Sequence, residues 1–276
     1  MKVSISNEEM EECARKMTAY VKPFITPVTR QVNIEAPEGE ACGSASYFEK
    51  EGRQFIVTNE HVSRELGGPD PVSHGYQFYG SSDIYATKTP FASLENPIDV
   101  SIDDFTDFWH RKASSTMAKC IPFEKMQVGY SYDPDELYFV AGFPGEGVDM
   151  HFGQLCSKEL NFLTQEVSVP IGLKNVNPEY HFALRNDSKD AICTSDAPWS
   201  ALPPPPGVSG SLVWKTNYVN CRKNSIEWNP EKHAVVAGIA CLWDDRRTNV
   251  IIATKIDKMQ INQLTNSLMD MKGRTK

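Results

Sequence analysis

The chain has 276 residues and a mass of 30.9 kDa, enough for one large all-β or α/β domain or for two domains of ordinary size. With 28 Lys and Arg against 36 Asp and Glu, the formal charge is -8, so there is no basic field to attract nucleic acid. The longest nearly unbroken apolar run, residues 234–243, is about half of the ~20 residues that cross a bilayer. Neither nucleic acid nor a membrane is therefore expected as a partner.

The start of the sequence is polar and acidic, whereas an export signal needs a basic start and an apolar core. A cytoplasmic location is expected. The cysteines are odd in number, widely spread and contain no C-x-x-C pair, which argues against a disulfide framework and a zinc site. They are interpreted as reduced thiols, and no metal or other cofactor is expected; they are Cys13, Cys42, Cys120, Cys156, Cys193, Cys221 and Cys241.

The first predicted element is an amphipathic helix over residues 7–21. Ser6 and Glu9 have the spacing of a capping box. Apolar residues then recur at helical intervals from Met10 to Val21, and Pro23 ends the pattern. This helix, with its flanks, is expected to form a separate N-terminal segment, residues 1–22.

The body of the chain, residues 23–276, is predicted to be all-β. Short stretches rich in Val, Ile, Phe and Tyr are separated by Gly, Pro, Asn and Asp; they are SASYF, QFIVTN, YQFY, LYFVAGF, QEVSVPI, SLVWK, AVVAGIACLW and NVIIATKI. No helical patterns alternate with them, so a parallel α/β sheet is disfavoured. A second helix is predicted at residues 257–271, and the proline run 203–206 is interpreted as a stiff loop.

Three strand–loop junctions carry residues with catalytic potential. His61 follows the apolar run 55–57, Asp99 opens a strand-like segment, and Ser209 lies in a glycine-flanked turn before another strand. Taken singly, they suggest a structural histidine, a turn aspartate and a hairpin serine. Taken together, they provide a hydroxyl nucleophile, a base to accept its proton and a carboxylate to orient that base. Spacing alone leaves the neighbouring Asp103 and Asp104 open as the carboxylate.

The order of these residues resembles that of chymotrypsin-like serine proteases, in particular the bacterial branch and the HtrA-like protease domain without a PDZ domain. The matching segments are GSASYF from Gly43, VTNEHV with His61, IDVSI with Asp99, GFPG from Gly142, GVSGS with Ser209, and VAGI from Val236. They cover roughly residues 40–265. The resemblance implies two six-stranded antiparallel Greek-key β-barrels, at about residues 30–125 and 126–256, with an N-terminal and a C-terminal helix.

The resemblance also implies roles for individual residues in a serine endopeptidase. Ser209 is expected to be the nucleophile, His61 the general base and acid, and Asp99 the residue that orients His61. The backbone N–H groups of Gly207 and Ser209 are expected to form the oxyanion hole. The substrate peptide is expected to pair with the strand that contains Ala240, Cys241, Leu242 and Trp243.

Three positions depart from the family pattern. Val208 replaces the aspartate that binds a new N-terminus after zymogen cleavage, and Val62 replaces the cysteine that follows the catalytic histidine. Pro203 stands where trypsin-like enzymes have the aspartate that binds a Lys or Arg side chain of the substrate. The substrate residue at the first substrate site is therefore expected to be small or apolar. A clear preference for Arg would contradict this expectation.

Other interpretations remain. An α/β-hydrolase is disfavoured because Ser211 replaces the second glycine of G-x-S-x-G and a strand-like segment follows. Metal hydrolysis is disfavoured because the histidines are scattered. The main alternative is a dormant trypsin-fold protein that binds peptides or acts as a scaffold. If the protein is an enzyme, a regulatory protein or ligand is expected to order the segment around Gly207, through the N-terminal helix in one version of this hypothesis.

Overall fold

The computed structural model describes residues 5–31, 39–66, 74–144, 148–151, 154–186, 192–193, 207–244 and 249–273. Most of the strands that these residues form belong to two sheets, one after the other along the chain, and nearly all neighbouring strands in them are antiparallel. The fold is mostly β with a helix near each end, as the sequence predicts. No helix among the described residues combines the length and the apolar character needed to cross a bilayer.

The first sheet contains eight strands: β1 (Ile25–Gln31), β2 (Gly39–Lys50), β3 (Arg53–Thr58), β4 (His74–Tyr76), β5 (Tyr85–Thr87), β6 (Ala92–Leu94), β7 (Val100–Asp104) and β8 (Ile121–Pro122). Seven strands follow the order β5-β4-β1-β2-β3-β7-β6, and β8 pairs with β2. The ladders of the described residues leave this sheet open between β5 and β6, so it is a half-barrel. Aromatic side chains, including Tyr47, Phe78 and Phe105, fill its concave side.

The second sheet contains seven strands: β9 (Leu137–Gly142), β12 (Leu160–Val167), β13 (His181–Arg185), β14 (Ile192–Cys193), β15 (Leu212–Lys215), β16 (Val235–Asp244) and β17 (Val250–Lys255). Its order is β13-β17-β16-β15-β9-β12, and β13 also pairs with β12. The sheet therefore closes into a six-stranded barrel, with β14 added outside. A separate hairpin is formed by β10 (Val148–His151) and β11 (Gln154–Ser157).

Four short helices connect the strands: α2 (Glu60–Glu65), α3 (Thr106–Lys112), α4 (Tyr218–Lys223) and α5 (Pro230–His233). The sequence pattern does not predict these helices, because each has seven residues or fewer and shows no helical repeat. Of the predicted strand segments, QEVSVPI is extended only through Val167, where β12 ends. The buried N-terminus of α4 is held by Glu136, whose carboxylate accepts hydrogen bonds from the N–H groups of Val219 and Asn220 at 3.0 Å each.

The N-terminal helix, α1 (Asn7–Val21), has the predicted bounds and begins with the predicted capping box. Ser6 Oγ accepts from the Glu9 N–H, and the Glu9 carboxylate accepts from the Ser6 N–H. One face of the helix is buried against β9, β12 and α5, and Cys13, Ala14 and Met17 are fully buried. The buried face of the helix belongs to a cluster of apolar side chains that contains residues of both sheets, among them Phe55 and Phe139.

The C-terminal helix, α6 (Ile261–Gly273), begins four residues later than predicted. Residues Ile256–Lys258 form a 3₁₀ turn instead, and Gln260 has a φ of 50°, which interrupts helical geometry before Ile261. The helix packs against β6 and β7 of the first sheet, with Leu264 and Leu268 buried. The C-terminal helix therefore covers part of the first sheet, whereas α1 packs against strands of the second.

Met17→Ala is expected to lower the free energy of unfolding by about 2–4 kcal/mol, because a fully buried thioether would be replaced by a cavity. Chemical denaturation measures this change. Glu12→Ala on the same helix is the control, since Glu12 is exposed and its ion pair with Lys16, at 2.8 Å, lies at the surface. Equal effects of the two substitutions would show that α1 does not belong to the core.

Candidate active site

His61 and Asp99 are in direct contact. His61 lies at the start of α2, three residues after β3 ends at Thr58, and Asp99 immediately precedes β7. Asp99 Oδ2 is 2.7 Å from His61 Nδ1, and Asp99 Oδ1 accepts the His61 backbone N–H at 3.0 Å. One carboxylate therefore fixes both the backbone and the ring of His61, which leaves Nε2 as the ring nitrogen able to exchange a proton with a substrate.

The two neighbouring aspartates that the sequence left open have other partners. Asp103 accepts a hydrogen bond from Thr89 Oγ1. Asp104 pairs with Arg53 and accepts from the backbone and the hydroxyl of Thr106. Both carboxylates bind residues in or next to the first sheet, whereas Asp99 contacts His61.

The backbone of Asp99 is held in an uncommon conformation. Its φ is 54°, in the left-handed region that non-glycine residues rarely adopt. The Asp99 carbonyl accepts from Asn59 Nδ2 at 2.8 Å, and the preceding carbonyl, of Ile98, accepts from Thr254 Oγ1 at 2.8 Å. Asn59 comes from the end of β3, whereas Thr254 comes from β17 of the second barrel. Contacts from both sheets therefore stabilise the conformation that aims the carboxylate at His61.

His181, on β13, is a second histidine near this aspartate. It is 3% exposed, and its Nδ1 lies 3.0 Å from both the N–H and the carbonyl oxygen of Asn177. Burial lowers the pKa of His181, while hydrogen bonds to Asn177 and Pro97 and the charge of Asp99 act in the opposite direction. The ring is thus mainly neutral near pH 7 and supports the loop that leads to Asp99.

Ser209 lies in a tight turn between residue 207 and β15. The Ser211 N–H donates to the Val208 carbonyl at 3.0 Å and closes the turn. Gly207 and Gly210 have φ values of 99° and 89°, which explains why both are glycine. A Cβ on Gly210 would also collide with Ser44 O and Thr58 Oγ1, so the turn is pressed closely against the first sheet.

The turn is fastened to the first sheet through Ser44. The Ser44 N–H donates to the Ser209 carbonyl and Ser44 Oγ donates to the Gly207 carbonyl, each at 2.8 Å. In the described part of the chain, the N–H groups of Gly207 and Ser209 donate to no other residue. That these two N–H groups form an oxyanion hole stays a prediction.

The hydrogen bonds among the described residues do not include one between the Ser209 hydroxyl and the His61 ring. Such bonds are commonly long before a substrate binds. Both residues are partly exposed, and the turn that carries Ser209 contacts Thr58, the last residue of the strand that leads to His61.

The expected substrate strand is placed beside this turn. The Ala240 carbonyl accepts the Gly210 N–H at 3.0 Å, and the Ala240 N–H donates to the Ser211 carbonyl at 2.8 Å. From Leu242 to Asp244, β16 pairs with β17 on one side, while β15 pairs with β16 only as far as Ile239. The described residues thus leave the other edge of residues 242–244 unpaired, which suits the addition of a peptide strand.

Cys241 lies at a bulge between Ala240 and Leu242. Its Sγ is 3.4 Å from the Ile252 carbonyl, and burial together with the charge of Asp99 raises the pKa of its thiol to about 12. The thiol is therefore protonated at neutral pH and serves as packing beside Asp99. Of the other expected substrate contacts, Pro203 and the side chains of Leu242 and Trp243 lie outside the described residues.

Five cysteines are free thiols, namely Cys13, Cys42, Cys120, Cys221 and Cys241. Cys156 and Cys193 have side chains outside the described part of the chain. Among the described residues, no group of three or more His, Cys, Asp and Glu side chains could hold a metal ion.

The sequence matches no protein-family model and no curated protein. Solved structures are similar in fold. The thermostable serine protease AL20 from an extremophilic microorganism has a TM-score of 0.50 at 11% identity, covering 87% of this chain and 95% of that one. The MamO protease domain of Magnetospirillum magneticum has a TM-score of 0.48 at 13% identity, covering 88% and 97%. The serine endoprotease of Yersinia pestis has a TM-score of 0.49 at 14% identity, covering 97% of this chain and 68% of that one. At this identity, the likeness shows that the chain has the trypsin-like serine protease fold.

Sequence reasoning missed the residues that hold this site together. Asn59 and Ser44 lie within the motifs that carried the resemblance, but nothing in those motifs indicates which carbonyls their side chains reach. Thr254 stands in a strand far from Asp99 in sequence, so its bond to the Ile98 carbonyl had no local signal.

Ser44→Ala is expected to slow the reaction of Ser209 with a fluorophosphonate probe by about ten-fold or more, because the Gly207 carbonyl would lose its donor and the turn would shift. The free energy of unfolding is expected to fall by about 1–3 kcal/mol. Ser46→Ala is the matched control, since Ser46 lies on the same strand and its buried hydroxyl has no partner among the described residues. A normal reaction rate in Ser44→Ala would contradict this role of Ser44.

Proposed function

We propose that the protein is a serine endopeptidase that cleaves peptide bonds through an acyl-enzyme intermediate. The observation that carries the proposal is the pair of hydrogen bonds that Asp99 accepts from His61, at 2.7 and 3.0 Å, beside a serine turn whose Gly207 and Ser209 N–H groups donate to no other described residue. The trypsin-like fold supports the same class of reaction. Fold alone does not assign it, because unrelated functions can occupy one fold.

In this mechanism, Ser209 Oγ attacks the substrate carbonyl while His61 Nε2 accepts its proton. Asp99 keeps the proton on Nδ1 and stabilises the imidazolium that forms. The N–H groups of Gly207 and Ser209 stabilise the oxyanion. His61 then donates its proton to the leaving amine, and water, activated by His61, releases the acyl group.

The hydrogen bonds that hold the Ser209 turn and the Asp99 loop in place are consistent with the proposed reaction. The turn is anchored to Ser44, and the Asp99 loop is anchored to Asn59 and Thr254, so little reorganisation is needed as charge develops. The His61 side chain is 31% exposed, whereas that of Asp99 is only 7% exposed, which leaves the base accessible and its partner shielded from water.

A second candidate is a peptide-binding protein of the same fold that does not hydrolyse its ligand. Among the described residues, no hydrogen bond joins the Ser209 hydroxyl to His61, which favours this candidate, and the edge of β16 that these residues leave unpaired would bind a peptide in either case. A protein of this kind would retain peptide affinity but would not acylate Ser209.

Regulation is a further part of the proposal. We propose that a protein partner or a ligand controls the segment around Gly207. If the N-terminal helix takes part, the partner would contact its outer face, where Glu8, Glu11 and Arg15 are exposed, because the inner face is buried in the core. Deleting the helix would remove Met17 and expose the buried apolar side chains against which the helix packs, so it is a test of folding rather than of regulation.

Labelling with a fluorophosphonate probe tests the proposed function. Wild-type protein is expected to be labelled at Ser209, Ser209→Ala not at all, and His61→Ala at least about 100-fold more slowly, since general-base catalysis contributes roughly 10²–10⁴-fold. Asp99→Asn is expected to slow labelling strongly as well, because the amide no longer selects the reactive tautomer of His61.

Ser225→Ala is the control, since Ser225 is an exposed residue after α4. Its labelling is expected to equal that of the wild type. Wild-type protein that stays unlabelled, alone and with cell lysate present, would contradict the endopeptidase and favour the peptide-binding protein.

A further inference from the structure

A cavity of about 240 Å³ adjoins the His61–Asp99 pair. His61, Asp99 and Cys241 form part of its lining, and the loop between β12 and β13 adds residues 174–176. The cavity is smaller than the ~300–1,000 Å³ typical of sites for small organic ligands. Its size suits one side chain of a larger ligand.

The position of the cavity relates it to a bound peptide. Cys241 lines the cavity and also lies on β16, directly after Ala240, whose carbonyl binds the Gly210 N–H. A peptide added along the free edge of β16 would therefore pass the cavity close to Ser209. Since side chains of an extended peptide alternate between two faces, one residue near the scissile bond would direct its side chain into the cavity.

The residues that line the cavity are partly apolar and partly polar. Val176 and Ile252 supply apolar surface, whereas the amides of Asn96 and Asn175 supply hydrogen-bond donors. Lys174 adds an ammonium group and is exposed to solvent. An aliphatic stem that ends in a carboxylate would match this lining.

The charged residues of the described chain that line the cavity are Lys174 and Asp99. Both carboxylate oxygens of Asp99 accept hydrogen bonds from His61, and His181 is buried and bonded to Asn177. The nearby Lys255 donates to the carbonyls of Pro178 and Glu179, at 2.6 and 3.3 Å. In the described part of the chain, Lys174 forms no ion pair and no hydrogen bond.

We propose that this cavity binds an acidic side chain of the substrate, aspartate or glutamate, within a few residues of the scissile bond, and that Lys174 sets this preference. The proposal rests on the endopeptidase function, to which it adds a substrate class. Because Lys174 is exposed, the preference is a modest one, about two- to five-fold over the matching amide, and it weakens as the ionic strength rises.

Selection from a random peptide library on the Ser209→Ala protein tests the proposal by binding, without requiring hydrolysis. The bound pool is expected to be enriched in Asp and Glu at one position. Lys174→Glu, in the same Ser209→Ala background, is expected to replace this enrichment with Lys and Arg. Lys232→Glu is the matched control, because Lys232 is an exposed lysine on α5 and the charge change is identical. It is expected to leave the acidic enrichment unchanged.

The selected peptides, offered to the protein with Ser209 intact, separate the two claims. Acidic enrichment that depends on Lys174, together with cleavage of these peptides, supports both. The same enrichment without cleavage supports the cavity as an acidic pocket and overturns the endopeptidase. Absence of acidic enrichment, or enrichment that Lys174→Glu leaves unchanged, overturns the acidic pocket, whether or not the peptides are cleaved.

Discussion

Ser44, which is 1% exposed, lies where three segments of the molecule meet. Its backbone N–H and hydroxyl hold the carbonyls of Ser209 and Gly207, and its Oγ also accepts the Phe143 N–H at 2.9 Å. Its carbonyl accepts from Thr58 Oγ1 at 2.8 Å. The bonds to Ser209, Gly207 and Phe143 join the first sheet to the second, so these groups would lose their partners if the two sheets moved apart, and leaving buried polar groups unpaired is costly. The position of the turn that carries Ser209 therefore depends on the first sheet, although the turn leads into β15 of the second.

The dependence also runs in the other direction. Asp99 belongs to the first sheet, but Thr254 of the second barrel holds the Ile98 carbonyl directly before it. Since Asp99 has a strained φ, the loop needs support from outside to keep the carboxylate aimed at His61. Each sheet thus holds in place a segment that carries a proposed catalytic residue of the other, and the candidate site depends on both sheets.

The sequence predicted those parts of the structure that are determined by residues close together in the chain. The helix Asn7–Val21 follows from its capping box and apolar spacing, and the three junctions with His61, Asp99 and Ser209 were found by residue type and order. The choice of Asp99 over Asp103 and Asp104 required the structure, because it depends on which carboxylate reaches the histidine. The half-open first sheet and the late start of α6 depend on pairing and packing across the chain, for which single segments carry no signal.

The contact between Val62 and Gly43 shows how His61 is positioned without a covalent link. The chymotrypsin-like pattern places a cysteine after the catalytic histidine, whereas this chain has Val62, which is fully buried. A Cβ on Gly43 would approach Val62 Cγ2 to 2.9 Å, so the valine fills the space against β2 that a larger residue at 43 would need. Burying such a side chain contributes about 1.5–3 kcal/mol, comparable to the ~2–4 kcal/mol of a typical disulfide. Close packing of the residue beside His61 can therefore hold α2 against the sheet, and the geometry of the site needs no oxidised cysteine to persist.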